Sequence, residues 1–167
     1  MRYAVASLLL LPLASCVIAD VTDVSPRPGA IERQYASATA FYAKNIVIPP
    51  GYETIRLPGI IADPLTPGGS DLGNTEQQAE SVFNKISAAL AEIGASEGDV
   101  VAMTVYLAAP TPGGVMDFDG MMRAYGRHYG SASQPNRPVR STVQVAGLVR
   151  PGMLVEVEVT AARKPPR

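Results

Sequence analysis

Four residues near the C-terminus have side chains that could do chemistry together: Arg140, Thr142, Glu156 and Glu158. They stand in two alternating runs, "VRSTVQV" and "VEVEVT", separated by a segment containing Pro151 and Gly152. Side chains alternate faces along a strand, so Arg140, Thr142 and Gln144 share one side while Val139, Ser141, Val143 and Val145 share the other. In the second run Val155, Val157 and Val159 oppose Glu156, Glu158 and Thr160. The two runs are expected to pair as a hairpin with their valines on a common face, which puts both glutamates on the face of Arg140. Arg140 then stands opposite Glu158, or opposite Thr160 with Glu158 on the diagonal. Two chemistries fit this placement. A cross-strand ion pair on a solvated face would contribute roughly 0.2 to 1 kcal/mol and no activity. A guanidinium free of that pairing would hold a ligand carboxylate in two parallel hydrogen bonds, with a glutamate beside it to move a proton.

Composition narrows the partners. The chain has 167 residues, 47% hydrophobic and 17% charged, which supplies one ordinary core. Its net charge is −1, becoming about −2 if Arg2 is lost, so no basic field collects phosphates and nucleic acid is a poor partner. One histidine, His128, and one cysteine, Cys16, are too few for a zinc or other soft-metal site. His128, beside Arg127, reads as a polar residue near a helix C-terminus.

The N-terminus reads as an export signal over residues 1–19: Arg2, an apolar run from Ala4 to Ala14, then Cys16. The run is too short to cross a bilayer as a helix. "LASC" resembles a lipobox that would make Cys16 a lipidated, membrane-attached N-terminus. "VIAD" offers an ordinary cut after Ala19 instead. Either outcome places the protein outside the cytoplasm, in the periplasm or envelope. Residues 20–34 are expected to be an unstructured leader, 35–163 a single domain, and 164–167 a solvated tail.

The elements that must position the four residues are partly legible. Short strands are predicted between Tyr35 and Ala62, broken by Pro49, Pro50, Gly51, Pro58 and Gly59. "DPLTPGGSDLGN" is a loop. A helix is expected to begin at Thr75, with "TEQQ" as a capping box closed by Gln78. Ala79, Val82, Phe83, Ile86, Leu90 and Ile93 form its apolar stripe, and Gly94 stops it. "DVVAMTVYLA" follows as a buried strand. Phe118, Met121, Met122 and Tyr125 mark a second, weaker helix interrupted by Gly120 and Gly126. The order predicts an α+β domain with both helices on one face of a sheet.

The string "VRSTVQVAGLVRPGMLVEVEVTA" resembles the C-terminal signature of the RidA (YjgF) family, and "TEQQAESVFNKISAALAEIGASEGDVVAMTVYL" resembles its central helix and strand. The resemblance implies a RidA/chorismate-mutase-like mixed β-sheet under two helices, assembled as a homotrimer with ligand sites between neighbours. It also implies cofactor-independent, metal-free hydrolysis of small enamines or imines of amino acids to 2-keto acids and ammonia. The family's carboxylate-binding arginine falls on Arg140 and its water-handling glutamate on Glu156, with Glu158 the alternate. Thr142 stands where typical members have cysteine, and "PGI", with Gly59, where they have "SGQ". Met122 stands where they have a site asparagine. These lost polar contacts leave open a second reading, a trimer that binds a small carboxylate without turning it over.

Overall fold

A computed structural model describes residues 29–166. The expected signal segment, with Cys16 and Ala19, and the start of the expected leader lie outside the described residues. The leader was expected to run to residue 34, but Glu32–Gln34 form a strand, β1, antiparallel to β2 (Asn45–Val47). Ordered chain therefore begins before the predicted boundary. A three-residue strand without alternation leaves no sequence signal, and its fixing contact, Arg33 Nη2 donating to the Gly98 carbonyl at 2.9 Å, is tertiary.

The main sheet holds β3 (Glu53–Ile61), β4 (Val100–Ala108), β5 (Val139–Val145) and β6 (Val155–Arg163) in the order β3-β6-β4-β5. β6 runs antiparallel to both of its neighbours, while β5 pairs parallel with β4. Helix α1 (Thr75–Glu92) links β3 to β4, and α2 (Phe118–His128) links β4 to β5. Such crossovers place both helices on the sheet, and one core joins Val82, Phe83, Ile86 and Leu90 of α1, Met121 and Tyr125 of α2, and Val105, Leu107, Val155 and Val157 of the sheet. Each fully buried aliphatic or aromatic side chain of this kind contributes about 1.5 to 3 kcal/mol.

The expected hairpin does not form, because β4 lies between β5 and β6. Residues 146–154 are too many for a tight turn and carry the chain past the end of β4, with Gly152 at φ +80° inside that passage. β4 has Val100, Val101, Met103, Val105, Leu107 and Ala108 buried, so it gains most from a partner on each edge. β5, with Ser141, Val143 and Gln144 exposed, is left at the sheet margin.

Helix α1 is capped one residue earlier than expected: the Asn74 side chain accepts from Gln77 N, and Gln77 Oε1 accepts from Asn74 N, both at 3.0 Å. Gln78, assigned to that box from sequence, is fully buried instead. Its amide donates to the carbonyls of Gly73 and Gly152 and accepts from Leu154 N. Ile93 sits past the last turn and is 44% exposed, outside the stripe. Gly94, at φ +71°, supplies the stop.

The helices are tied together by charge. Arg123 and Arg127 of α2 bind Glu76 and Glu80 of α1. His128, the last residue of α2, places Nδ1 2.7 Å from Glu97 and Nε2 3.2 Å from Glu80. Burial works against its charged form, but the two carboxylates outweigh it and hold the His128 pKa above the ordinary histidine value. Among the described residues no helix is long and apolar enough to cross a membrane.

Candidate functional site

Register decides which side chains share a face. Arg140 and Val159 both pair with Met103, and Thr142 and Val157 both pair with Val105. Cross-strand partners share a face, so Arg140, Thr142 and Gln144 project to the helix side. Glu158 and Ser141 pair with Thr104, and Glu156 and Val143 pair with Tyr106, so both glutamates project to the opposite, open face. The predicted meeting of Arg140 with Glu156 or Glu158 is therefore corrected. The valines of the two runs occupy opposite faces, because each run takes its register from β4 and not from the other.

What Arg140 meets is aromatic. Its guanidinium carbon lies 4.3 Å from the ring centroid of Tyr125 and 5.9 Å from that of Phe118, both on α2. Arg140 Nη1 and Thr142 Oγ1 are both buried without a hydrogen-bond partner. Buried donors in this state are costly unless something is supplied to them. Burial lowers the Arg140 pKa, with Tyr125 and Tyr42 acting in the other direction; an arginine so perturbed still keeps its charge at neutral pH. Further along the same face, the Gln144 amide clasps the loop before α2, accepting from Met116 N and donating to Gly114 O at 2.9 Å each.

Tyr125 is fixed from behind. Its hydroxyl donates to the Phe41 carbonyl at 2.8 Å, and its ring stacks on Tyr129 with centroids 5.1 Å apart. Burial pushes the Tyr125 hydroxyl up to about 12, so it remains a neutral donor. The segment that supplies Phe41 is pinned beside β5 by Ala43 N donating to the Pro138 carbonyl and Arg137 N donating to the Tyr35 hydroxyl. Sequence reasoning found Tyr125 and Phe118 as core-stripe positions and missed their contact with Arg140. It missed Tyr42 altogether, since the segment carries no periodicity.

A second group forms around Glu156. β3 changes register against β6 between Leu57 and Ile60, so Pro58 and Gly59 form a bulge facing that strand. A Cβ on Gly59 would press into the Glu156 carboxylate, 2.9 Å from its Cδ, so only glycine leaves the carboxylate its place. On the same open face Tyr106 donates to Glu158 at 3.2 Å. Arg56, Thr104, Ser141, Glu158 and Thr160 line a cleft of about 740 Å³ there, which also reaches Tyr42, Lys44 and Arg140 at the sheet margin. Arg140 and Thr142 thus form one group, Gly59 and Glu156 another, and the sheet separates them. Among the described residues no cluster of histidine, cysteine and carboxylate side chains suits a metal ion.

A family model described as endoribonuclease L-PSP matches residues 58–163, more than half of the chain and inclusive of both groups. The chain belongs to the RidA (YjgF) family. Among RidA-family relatives, a RutC family protein of Pyrococcus abyssi is 32% identical over 103 residues, covering 60% of this chain and 73% of that one. Protein DfrA of Myxococcus xanthus is 34% identical over 100 residues, covering 59% and 69% respectively. TdcF of E. coli, solved with bound serine, superposes with a TM-score of 0.54 at 28% identity over 66% of this chain and 80% of that chain. The Rid-family protein YyfB of Yersinia pestis has the same fold, with a TM-score of 0.59 at 20% identity over 74% of this chain and 87% of its own.

Proposed function

We propose that the protein is a RidA-like hydrolase of small 2-imino acids or their enamine tautomers, working at sites built between copies of the chain. The observation that carries this reading is the pair of buried, unpartnered donors, Arg140 Nη1 and Thr142 Oγ1. A carboxylate supplies acceptors to both at once, and among the described residues no backbone or side-chain group does so. The bound serine of TdcF, itself an amino-acid carboxylate, supports the ligand class.

The substrate carboxylate binds Arg140 and Thr142, which fixes the C=N carbon. A water attacks that carbon and gives a proton to the Glu156 carboxylate, forming a C–O bond as the C=N π electrons move to nitrogen. At the tetrahedral carbon Glu156 returns that proton to the nitrogen, and the second water proton follows from the hydroxyl to the nitrogen as the oxygen closes to a carbonyl, so that the C–N bond breaks and ammonia leaves the 2-keto acid. Since Arg140 and Glu156 occupy opposite faces of one sheet, the reaction draws them from different copies. A homotrimer, the family's usual assembly, provides that juxtaposition.

The test generates imines in situ with an amino-acid oxidase and compares wild type with Arg140→Ala. Faster imine loss with wild type alone is the expected result. A second reading is favoured by Thr142, Pro58 and Met122 standing where family members carry other polar groups: the site binds carboxylates without turnover. Calorimetric binding with no rate acceleration would select it. Export belongs to the same proposal, with lipidation at Cys16 or cleavage after Ala19. Cys16→Ala is expected to release the protein from membranes, and unchanged attachment would exclude lipidation.

A further inference from the structure

We infer that the substrate carries a second carboxylate at the far end of its side chain, and that Lys44 and Arg56 bind it. This rests on reading Arg140 as the clamp for the first carboxylate. The cleft of about 740 Å³ that reaches Arg140 at the sheet margin crosses the open face to Arg56 on β3, the opposite edge strand. Register lays out its floor in two rows. Ser141, Thr104 and Glu158 are cross-strand partners in one, and Val139, Ala102, Thr160 and Arg56 in the next.

Charge sets this cleft apart. Lys44, Arg56 and Arg140 bring three cations to it against one carboxylate, Glu158. Among the described residues the Lys44 ammonium and the Arg56 guanidinium make no hydrogen bond or ion pair, and both residues are exposed. Lys85, Arg123, Arg127 and Arg163, by contrast, are each held by a carboxylate. Glu158 accepts from Tyr106, which pairs with Glu156, whereas Arg56 stands opposite Thr160. One ligand carboxylate leaves the cleft with a net positive charge, and a second neutralises it.

Position agrees with charge. Lys44 flanks the start of β5, because Ala43 N donates to the carbonyl of Pro138, two residues before Arg140. Arg56 lies three strand spacings from Val139, roughly 14 Å between backbones. The hydroxyls of Thr104, Ser141 and Thr160 stand between the two cations as further donors. An apolar chain laid there would strip water from these groups and return nothing to them.

The experiment measures kcat/KM for imines generated by oxidases from glutamate, glutamine and norvaline, with wild type, Lys44→Gln, Arg56→Gln and the double variant. In parallel, calorimetry measures binding of 2-oxoglutarate and 2-oxopentanoate to wild type at about 0.05 and about 0.5 M NaCl, which requires no variant to fold. Glutamate is expected to exceed both neutral counterparts of equal chain length by about tenfold or more, as a charge-assisted hydrogen bond would give. Each single variant should lower that ratio by about threefold, and the double variant should bring it close to unity. High salt should lower the 2-oxoglutarate preference as well.

Turnover without a preference for glutamate, or a preference that salt leaves unchanged, overturns the selection and leaves the hydrolase reading intact. No turnover, but 2-oxoglutarate bound more tightly than 2-oxopentanoate in a salt-dependent way, overturns the hydrolase reading and keeps the selection. A preference that survives the double substitution removes Lys44 and Arg56 as its cause. Binding of neither keto acid, with no turnover, overturns both.

Discussion

Arg140 is a case where stability and function pull apart. A guanidinium with a buried, unpartnered Nη1 costs the free protein something that ligand binding returns. Arg140→Met is therefore expected to abolish carboxylate binding while unfolding at a temperature no lower than wild type. A loss of about 2 kcal/mol in denaturant titration would instead make Arg140 a structural residue. Arg140→Lys keeps the charge but not the planar fork, and should raise KM by about tenfold or more. At Gly59 the expectation runs the other way. A methyl group there meets the Glu156 carboxylate, so Gly59→Ala should lower kcat while KM, set at Arg140, moves little.

At the scale of elements, two side chains hold the helices in place. Gln78 satisfies the Gly73 and Gly152 carbonyls and the Leu154 amide from a fully buried position on α1. Gln78→Leu fits the space and strands all three, so a loss of about 3 kcal/mol is expected in urea unfolding. His128 ties α2 to Glu80 and Glu97, and its pKa is raised in the fold by those carboxylates. A proton held more tightly in the folded than the unfolded state stabilises fully below the ordinary histidine value of about 6.5. That contribution is lost as pH rises through the higher folded value. Wild-type stability should thus fall from pH 6 toward pH 8 through this group, and His128→Gln should flatten that slope.

At the scale of the whole molecule, the separation of Arg140 from Glu156 makes a sharp demand on assembly. If each site takes Arg140 from one copy and Glu156 from the next, Arg140→Ala and Glu156→Ala are each inactive alone. Unfolded together and refolded as mixed trimers, they should recover about a quarter of wild-type activity, because random assortment leaves one intact site in each mixed ring. No recovery, or a monomeric mass in light scattering, would remove the shared site.

The sequence by itself determined the family, the α+β class and the two helices. Residues 139–162 and 75–107 carry local signals, alternation, capping and a 3.6-residue stripe, that need no distant partner to be read. It also singled out Arg140, Thr142, Gly59 and Glu156. Only the tertiary structure decided how they are grouped. Alternation fixes which residues of a strand share a face but not which neighbour that strand chooses, and the burial offered by β4 drew β5 and β6 to its two edges. That one choice of partner turned Arg140 from a residue expected beside glutamates into one resting on Tyr125, with its Nη1 and the Thr142 hydroxyl unpaired.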